Sequence, residues 1–361
     1  IPYRGPFRRR GGIAKFLRMH QIVAMREERK DRETWRRLAD GSLSWEGLRA
    51  RAAIIDGIRL FFKRMGFLEV DPPIAAPFPN IDPNVFPVRI EDAAGKAAPL
   101  YLHTSPELAM KKLLAAGSGD IFFLGKVFRD REGSPLHSPE FTMLEWYRLG
   151  PSDGVMRDVE GLVRALASAV NGRESVFRNG REIPLGLPWA RREMSDAFRE
   201  LLGAEMTDGE SLRAALSRMG SRPGAGESWE DLFFRACLEA IEPDAAKRGT
   251  CFLTGFPAVL GAMARRREAD PAIAERFEGY LDGVELVNGY EELTDPAEQE
   301  ARLAALSDRH RRVSGQELPV DPGFLDALRH GIPPCSGAAL GVDRLVMLLL
   351  GNDDIADGMY R

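Results

Sequence analysis

The chain contains only three cysteines, Cys237, Cys251 and Cys335, far apart and with no Cys-x-x-Cys pair. That scarcity excludes a disulfide framework and a cysteine zinc site, and it points to a reducing, cytoplasmic compartment. No apolar run approaches the roughly 20 residues that a membrane-spanning helix needs. The opening residues, from Ile1 onward, lack the apolar core of a secretory signal. Internal repeats and low-complexity tracts are missing as well. A net charge of -4 provides no global basic field to hold a nucleic-acid backbone. There is also no Gly-rich P-loop, so any nucleotide site must be built another way.

What is present suits a soluble globular protein. The chain has 361 residues with 44% hydrophobic content, enough for one large domain or two ordinary ones. Residues 1–37 hold twelve Arg or Lys against four Asp or Glu. Residues 1–44 therefore read as a basic extension: a solvated arm, sequence upstream of a start at Met19 or Met25, or a nucleic-acid-binding arm. Residues 45–361 read as one folded domain. Within it, 190–245 is polar, helical and broken around 221–226, like a helical insertion outside the site.

Periodicity places the main elements. Ile54, Ile55, Ile58, Phe61, Phe62 and Met65 form one apolar stripe on a helix from Glu46 to Met65. Gly66 ends it, and a short strand, 67–70, runs up to Pro72-Pro73. Ser105 and Pro106 predict an N-cap and first helical residue for a helix reaching Ala116. Ile121–Phe128 reads as a strand covered on both faces, with its partner at Glu140–Arg148. A helix at 153–170, strands at 251–254 and 276–292, and helices at 296–311 and 322–330 complete the order before a final helix after Gly341.

Two segments carry most of the chemistry. FRDREGSPLHSPEFTMLEWYR, Phe128 to Arg148, is a strand, a polar loop and a strand, with Arg129 and His137 in the loop; GVDRLVML, Gly341 to Leu348, carries Arg344. Two cations, a histidine and the aromatic Phe141 suit a nucleotide triphosphate. Alternation puts Phe141, Met143, Glu145 and Tyr147 on one face. A buried Glu145 needs a cation or hydrogen-bond donor, either a bound group or a nearby Arg such as Arg129.

Asp282-Gly283 is a two-residue hairpin signal. It predicts that Leu281 pairs with Val284, Tyr280 with Glu285, and Glu278 with Val287. Glu278 and Glu285 would then be diagonal neighbours able to share magnesium with phosphate oxygens, or else two solvated carboxylates. Asn288 and Glu292 reach that face only if the strand bulges, and Gly289 is the expected place. Glu107, Glu145 and Glu292 would give a pocket with surplus negative charge, suited to an amino acid with two ammonium groups, such as lysine. Arg129 suits that amino acid's carboxylate and the α-phosphate it attacks.

At these residues the chain resembles the class II aminoacyl-tRNA synthetases, and within them the lysyl enzyme. Helix 46–65 with its strand resembles the family's first motif, FRDREGSPLHSPEF the second and GVDR the third, with TSPE and ELVNGYEELTD between them. The resemblance runs from about Trp45 to the end. It implies an α+β fold, an antiparallel sheet of six or more strands flanked by helices, and a homodimer through the first motif. Only about 45 residues precede this core, too few for the five-stranded anticodon-binding barrel of bacterial lysyl-tRNA synthetases. The chain thus resembles the free-standing PoxA/GenX family, which attaches lysine or (R)-β-lysine to a lysine of elongation factor P.

The resemblance implies a set of roles. Ser105, Pro106, Glu107 and Glu145 would surround the α- or β-amino group, with Ala339 shaping the pocket around the amino-acid backbone. Tyr147 and Glu292 would receive the ε-ammonium, and Asn288 would assist Arg129 with the carboxylate. Catalysis would rest on Arg129 and Arg344. ATP would meet Arg129, Asp130, Arg131, Glu132, His137, Ser138, Phe141, Glu285, Leu286, Gly341 and Arg344, with Phe141 and Arg344 on opposite sides of adenine. Glu278 and Glu285 would hold Mg2+. Where the family often has Arg-Asn-Glu, this chain has Arg129-Asp130-Arg131-Glu132, which moves the adenine-reading carboxylate to Glu132; Ser138 replaces a common Asn. The implied reaction is a two-step ligation through an aminoacyl adenylate. Its rivals are tRNA charging aided by the basic arm, and a non-catalytic regulator that binds a nucleotide or amino acid.

Overall fold

The protein is described from a computed structural model. It covers residues 34–359, apart from 42, 93, 94, 96–98 and 187. Most of the basic extension therefore lies outside the described residues.

Among the described residues thirteen strands follow in chain order: β1 (Leu68–Glu69), β2 (Ala75–Ala76), β3 (Val88–Ile90), β4 (Leu100–Leu102), β5 (Ile121–Phe128), β6 (Glu140–Leu149), β7 (Ser175–Arg178), β8 (Arg181–Pro184), β9 (Ala190–Glu193), β10 (Thr250–Pro257), β11 (Ile273–Leu281), β12 (Val284–Glu291) and β13 (Cys335–Gly341). Eight of them form the central sheet in the order β1-β5-β6-β13-β12-β11-β10-β9. The six inner strands are antiparallel, as the class II resemblance implies, while β1 and β9 add to the edges in parallel.

Alternation along the strands separates two cores. Leu144 and Trp146 of β6, with Phe122 of β5, face one core, which helices Trp45–Arg64, Ser152–Asn171 and Val342–Leu349 cover. Met143 and Tyr147, with Phe123, face the other, beneath helices Glu107–Ala115 and Pro322–His330. On the first motif's helix, Ile54, Ile58 and Phe62 are fully buried at i, i+4 and i+8, and Phe62 stacks on Phe122 at 5.1 Å. Burial of each such side chain contributes about 2 kcal/mol, an upper estimate. Met65, expected on this stripe, is exposed, because the helix has already ended at Arg64.

The structure corrects several expectations. Residues 190–193 are not part of a helical insertion but form β9, paired with β10. The helices after β9, from Met194 to Arg248, pack with Cys251, Leu253 and Phe256 in their own core. The expected strands 251–254 and 276–292 are longer and divided as β10, β11 and β12. Strand β13 was not expected at all: Cys335–Gly341 is rich in Gly and Ala and shows no β-branched pattern. Helix Glu107–Ala115 starts one residue after Pro106; Ser105 Oγ nevertheless accepts the Glu107 N–H at 3.1 Å.

One node joins the three motif segments. Asp343 pairs with Arg51 of the first motif's helix at 2.6 Å, and its Oδ2 accepts the Thr142 N–H of β6 at 2.6 Å. Arg51 also donates to Thr142 Oγ1 at 2.8 Å. Removing the carboxylate leaves a largely buried guanidinium without its counter-charge. Asp343→Ala should therefore cost roughly 2–4 kcal/mol in urea denaturation; a loss no larger than that of an exposed substitution would show that the node is dispensable.

Candidate active site

The site lies on the Met143–Tyr147 face of the sheet. Register brings one row of residues across it: Glu145 of β6 opposite Ala339 of β13, Ala339 opposite Asn288 of β12, and Asn288 opposite Glu278 of β11. A second row sets Tyr147, Gly337 and Tyr290 side by side. All of these except Glu278, together with Ser105, Glu107, Arg129, Met263, Arg276 and Glu292, line a cavity of about 190 Å³.

The hairpin turn is as predicted, with positive φ at both Asp282 (52°) and Gly283 (76°). Leu281 pairs with Val284 and Tyr280 with Glu285. The expected Glu278–Val287 pair does not form. Val287 lies opposite Gly279, so Leu286 is an extra residue in β12. This bulge, and not one at Gly289, places both Glu285 and Asn288 on the Glu278 face. Alternation then carries Tyr290 and Glu292 into the same cavity. Gly289 has a different cause: a Cβ there would lie 2.5 Å from the Phe277 ring and 2.7 Å from the Gly337 carbonyl.

Three carboxylates converge at the pocket's inner end. Glu145 is 3% exposed; its Oε2 accepts from Ser105 at 2.6 Å and its Oε1 from Tyr147 at 2.9 Å. The donors are thus hydroxyls, and the internal Arg129 salt bridge considered from sequence does not form. Burial, reinforced by the charge of Glu107, pushes the Glu145 carboxyl up to about 7. Glu292, also 3% exposed, is pushed up to about 8 by burial against the opposing pull of Lys111. Glu107 accepts hydrogen bonds from Tyr290 and Lys111.

Lys111 escaped the sequence reading. Its ammonium lies 2.8 Å from Glu107 and 2.5 Å from Glu292. The surplus of three negative charges is therefore offset by one internal cation, and Glu292 is already paired. The signal was legible: Lys111 falls among Leu108, Met110 and Leu114 on the buried helix face, four residues after Glu107. Arg276 was missed as well. It donates to Asn288 at 2.9 Å, Glu278 at 2.7 Å and the Leu260 carbonyl at 3.0 Å.

At the other end lies the cationic group. Arg344 donates to His137 Nε2 at 2.7 Å and to the Glu285 carbonyl at 2.7 Å. Since Nε2 accepts there, His137 Nδ1 carries the proton and donates to Ser134 at 2.7 Å. Leu286 turns its side chain into the core, and Gly341 caps the Arg344 helix. Arg129 stands between the two ends. It donates to the Thr104 carbonyl at 3.4 Å and lies over the Phe141 ring at 5.1 Å. Burial and the like charge of Arg344 lower its affinity for a proton, while Glu132, Asp82 and Glu285 oppose this.

The remaining loop residues are less gathered. Asp130 is exposed and its N–H donates to the Phe86 carbonyl, while Arg131 lies over the Phe86 ring at 4.1 Å with φ at 63°. Ser138 is half-buried. Glu278 is held by Arg276 and by Tyr280 at 2.7 Å; burial, aggravated by Glu285, pushes its carboxyl up to about 7. The Glu285 carboxylate lies 3.6 Å from Arg344.

This arrangement belongs to a known class. The family described as tRNA synthetases class II (D, K and N) matches residues 27–360, and the chain belongs to it. Among curated proteins it is similar to the elongation factor P--(R)-beta-lysine ligase of Vibrio cholerae, 37% identical over 85% of this chain and 92% of that protein. It is likewise similar to the proteins of that name from Salmonella typhi, 36% identical over 88% of this chain and 94% of that one, and from Hamiltonella defensa, 36% identical over 86% and 92%.

The raised Glu145 carboxyl makes the stability of the fold depend on pH. Its folded value of about 7, against an ordinary 4.5, means that ionisation opposes folding. That contribution to stability is intact below pH ~4.5 and is lost as pH rises through ~7. Glu145→Gln should gain on the wild type by about 2 kcal/mol between pH 5 and pH 8.5 in urea denaturation. An effect of equal size at both pH values would contradict the assignment.

Proposed function

We propose that this protein is an ATP-dependent ligase that activates lysine or (R)-β-lysine as its adenylate and transfers it to a lysine side chain of elongation factor P. The observation that carries the reading is the position of Arg129, between a buried carboxylate pocket and the Arg344–His137 pair. The names of the relatives support the acceptor and the β-amino acid.

In the first step a substrate carboxylate oxygen attacks the α-phosphorus of ATP, the bond to the β-phosphate oxygen breaks, and pyrophosphate leaves. Arg129 holds the attacking carboxylate and the α-phosphate together, so that the reaction is largely a matter of positioning. Arg344 and His137 meet the outer phosphates, where negative charge collects. Phe141 offers a face for adenine, and Glu132, whose charge acts on Arg129, reads its edge. Glu145 and Glu107 receive the amino group nearer the carboxylate, and Tyr147 with Glu292 the distal ammonium. In the second step the acceptor amine attacks the adenylate carbonyl, an amide forms, and AMP departs while the amine loses a proton.

Glu278 and Glu285 share a face and repel one another, which is the setting a divalent cation relieves. Among the described residues no three His, Cys, Asp or Glu form a metal cage. Mg2+ would thus be held by these two carboxylates with ATP's phosphate oxygens and water, where it neutralises phosphate charge. We further place the enzyme in the cytoplasm and assign it a homodimer through helix Trp45–Arg64, on which Leu60 is exposed, with Met65 and Leu68 exposed just after it. Among the described residues no helix is long and apolar enough to cross a membrane.

Exchange of label between pyrophosphate and ATP should require lysine or (R)-β-lysine, and Arg129→Ala should lower it about 100-fold or more. Intact-mass measurement of elongation factor P after incubation with ATP and each isomer should show one added aminoacyl group and identify the preferred isomer. Exchange with neither isomer would sink this reading. Charging of tRNA that disappears on deleting residues 1–37 would favour a synthetase instead.

A further inference from the structure

Lys111 is 2% exposed, on a helix whose other lysine, Lys112, points outward to Asp321 at 2.5 Å. Its ammonium touches four groups: Glu107 at 2.8 Å, Glu292 at 2.5 Å, Met263 Sδ at 3.4 Å and the Tyr290 ring, 5.4 Å to its centroid. It therefore ties helix Glu107–Ala115 to the residue that follows β12. Burial alone would strip the proton from a lysine, yet Glu107 and Glu292 hold its affinity above the ordinary value. A buried cation so placed fixes geometry and charge together.

The charge count is specific. With their carboxyls ionised, Glu107, Glu145 and Glu292 face the single positive charge of Lys111, a net charge of minus two. We propose that Lys111 is a positioning residue that sets the pocket's charge at minus two and thereby reserves it for an amino acid bearing two ammonium groups. This rests on the ligase reading and deepens it. Two substrate ammonium groups bring the pocket to neutrality, while the substrate carboxylate is matched separately by Arg129. An amino acid of the same length with one ammonium leaves a buried negative charge uncompensated, so discrimination is electrostatic before it is steric.

The groups facing these carboxylates bear out the count. Tyr147 and Tyr290, on β6 and β12, are held neutral because burial and the carboxylates push their hydroxyls up. On β13, burial pushes the Cys335 thiol up to about 12. From β11, Arg276 is engaged by Asn288 and Glu278, and Arg129, also on the cavity wall, donates to the Thr104 carbonyl. Of these groups only the carboxylates carry charge opposite to that of Lys111.

The test is the KM for lysine in ATP–pyrophosphate exchange from pH 6 to pH 9. In the wild type KM should climb on the acid side, as the carboxylates take up the protons that lysine must displace. In Lys111→Met the pH at which the climb begins should move up by about one unit or more, since a cation in contact no longer favours the carboxylates' charged forms. Lys111→Arg should keep the wild-type position, and Lys111→Met with Glu292→Gln should restore it. Glu292→Gln alone, with Lys111 retained, moves the climb the other way and leaves a pocket of minus one. Its preference for lysine over norleucine, which lacks the distal amine, should fall about tenfold or more. These two readouts carry the proposal should Lys111→Met fail to fold. A uniform rise in KM with no movement of the acid limb, or an unchanged norleucine preference in Glu292→Gln, would overturn the role of Lys111 while leaving the ligase intact. Absence of exchange in the wild type would overturn both.

Discussion

The structure is governed by the difficulty of keeping three carboxylates behind one face of a sheet. Ionised carboxylates in a low-dielectric cavity repel each other and lose their hydration, and either cost alone exceeds what a single hydrogen bond returns. The protein meets it with hydroxyl donors from Ser105 and Tyr147 on Glu145, with Tyr290 on Glu107, and with Lys111 between Glu107 and Glu292. What remains is an unsatisfied charge that only a cationic ligand relieves. The site is thus least stable when empty and ionised, which is a way of storing binding energy for the substrate.

Space is governed by the same face. A Cβ at Gly337 would lie 2.5 Å from the Tyr147 ring and 2.8 Å from Glu292 Oε1, so β13 must be made of small residues where it crosses the pocket. Ala339 stands in the next row, between Glu145 and Asn288. Neighbouring residues of the last helix divide the labour. Asp343 binds the frame by holding Arg51 and Thr142, while Arg344 reaches across to His137 and the Glu285 carbonyl. One helix start therefore anchors the fold and presents the phosphate end of the site.

Much of this was legible because it depends on local periodicity. The Ile54–Ile58–Phe62 stripe, the alternation of β6 and the Asp282-Gly283 turn each follow from neighbours a few residues apart. The bulge at Leu286 was foreseen in kind and misplaced in position, since glycine suggested Gly289 while β12 loses register where it leaves the turn. Strand β13 was illegible because its small residues are selected by what crosses above them, and not by strand propensity. Lys111 went unread, and lysine on a helix is nearly always solvated, so composition alone gives no reason to single it out.

The sequence by itself determined the class of site: two arginines, a histidine and an aromatic for a nucleotide, and acids in excess for a cationic amino acid. It did so because those residue types are needed wherever the fold puts them. Only the tertiary structure decided how many of the acids are free to act. That count depends on Lys111 and Glu292, 181 residues apart in the chain and 2.5 Å apart in space. Electrostatic balance is a sum over neighbours in three dimensions, and no spacing along the chain encodes it.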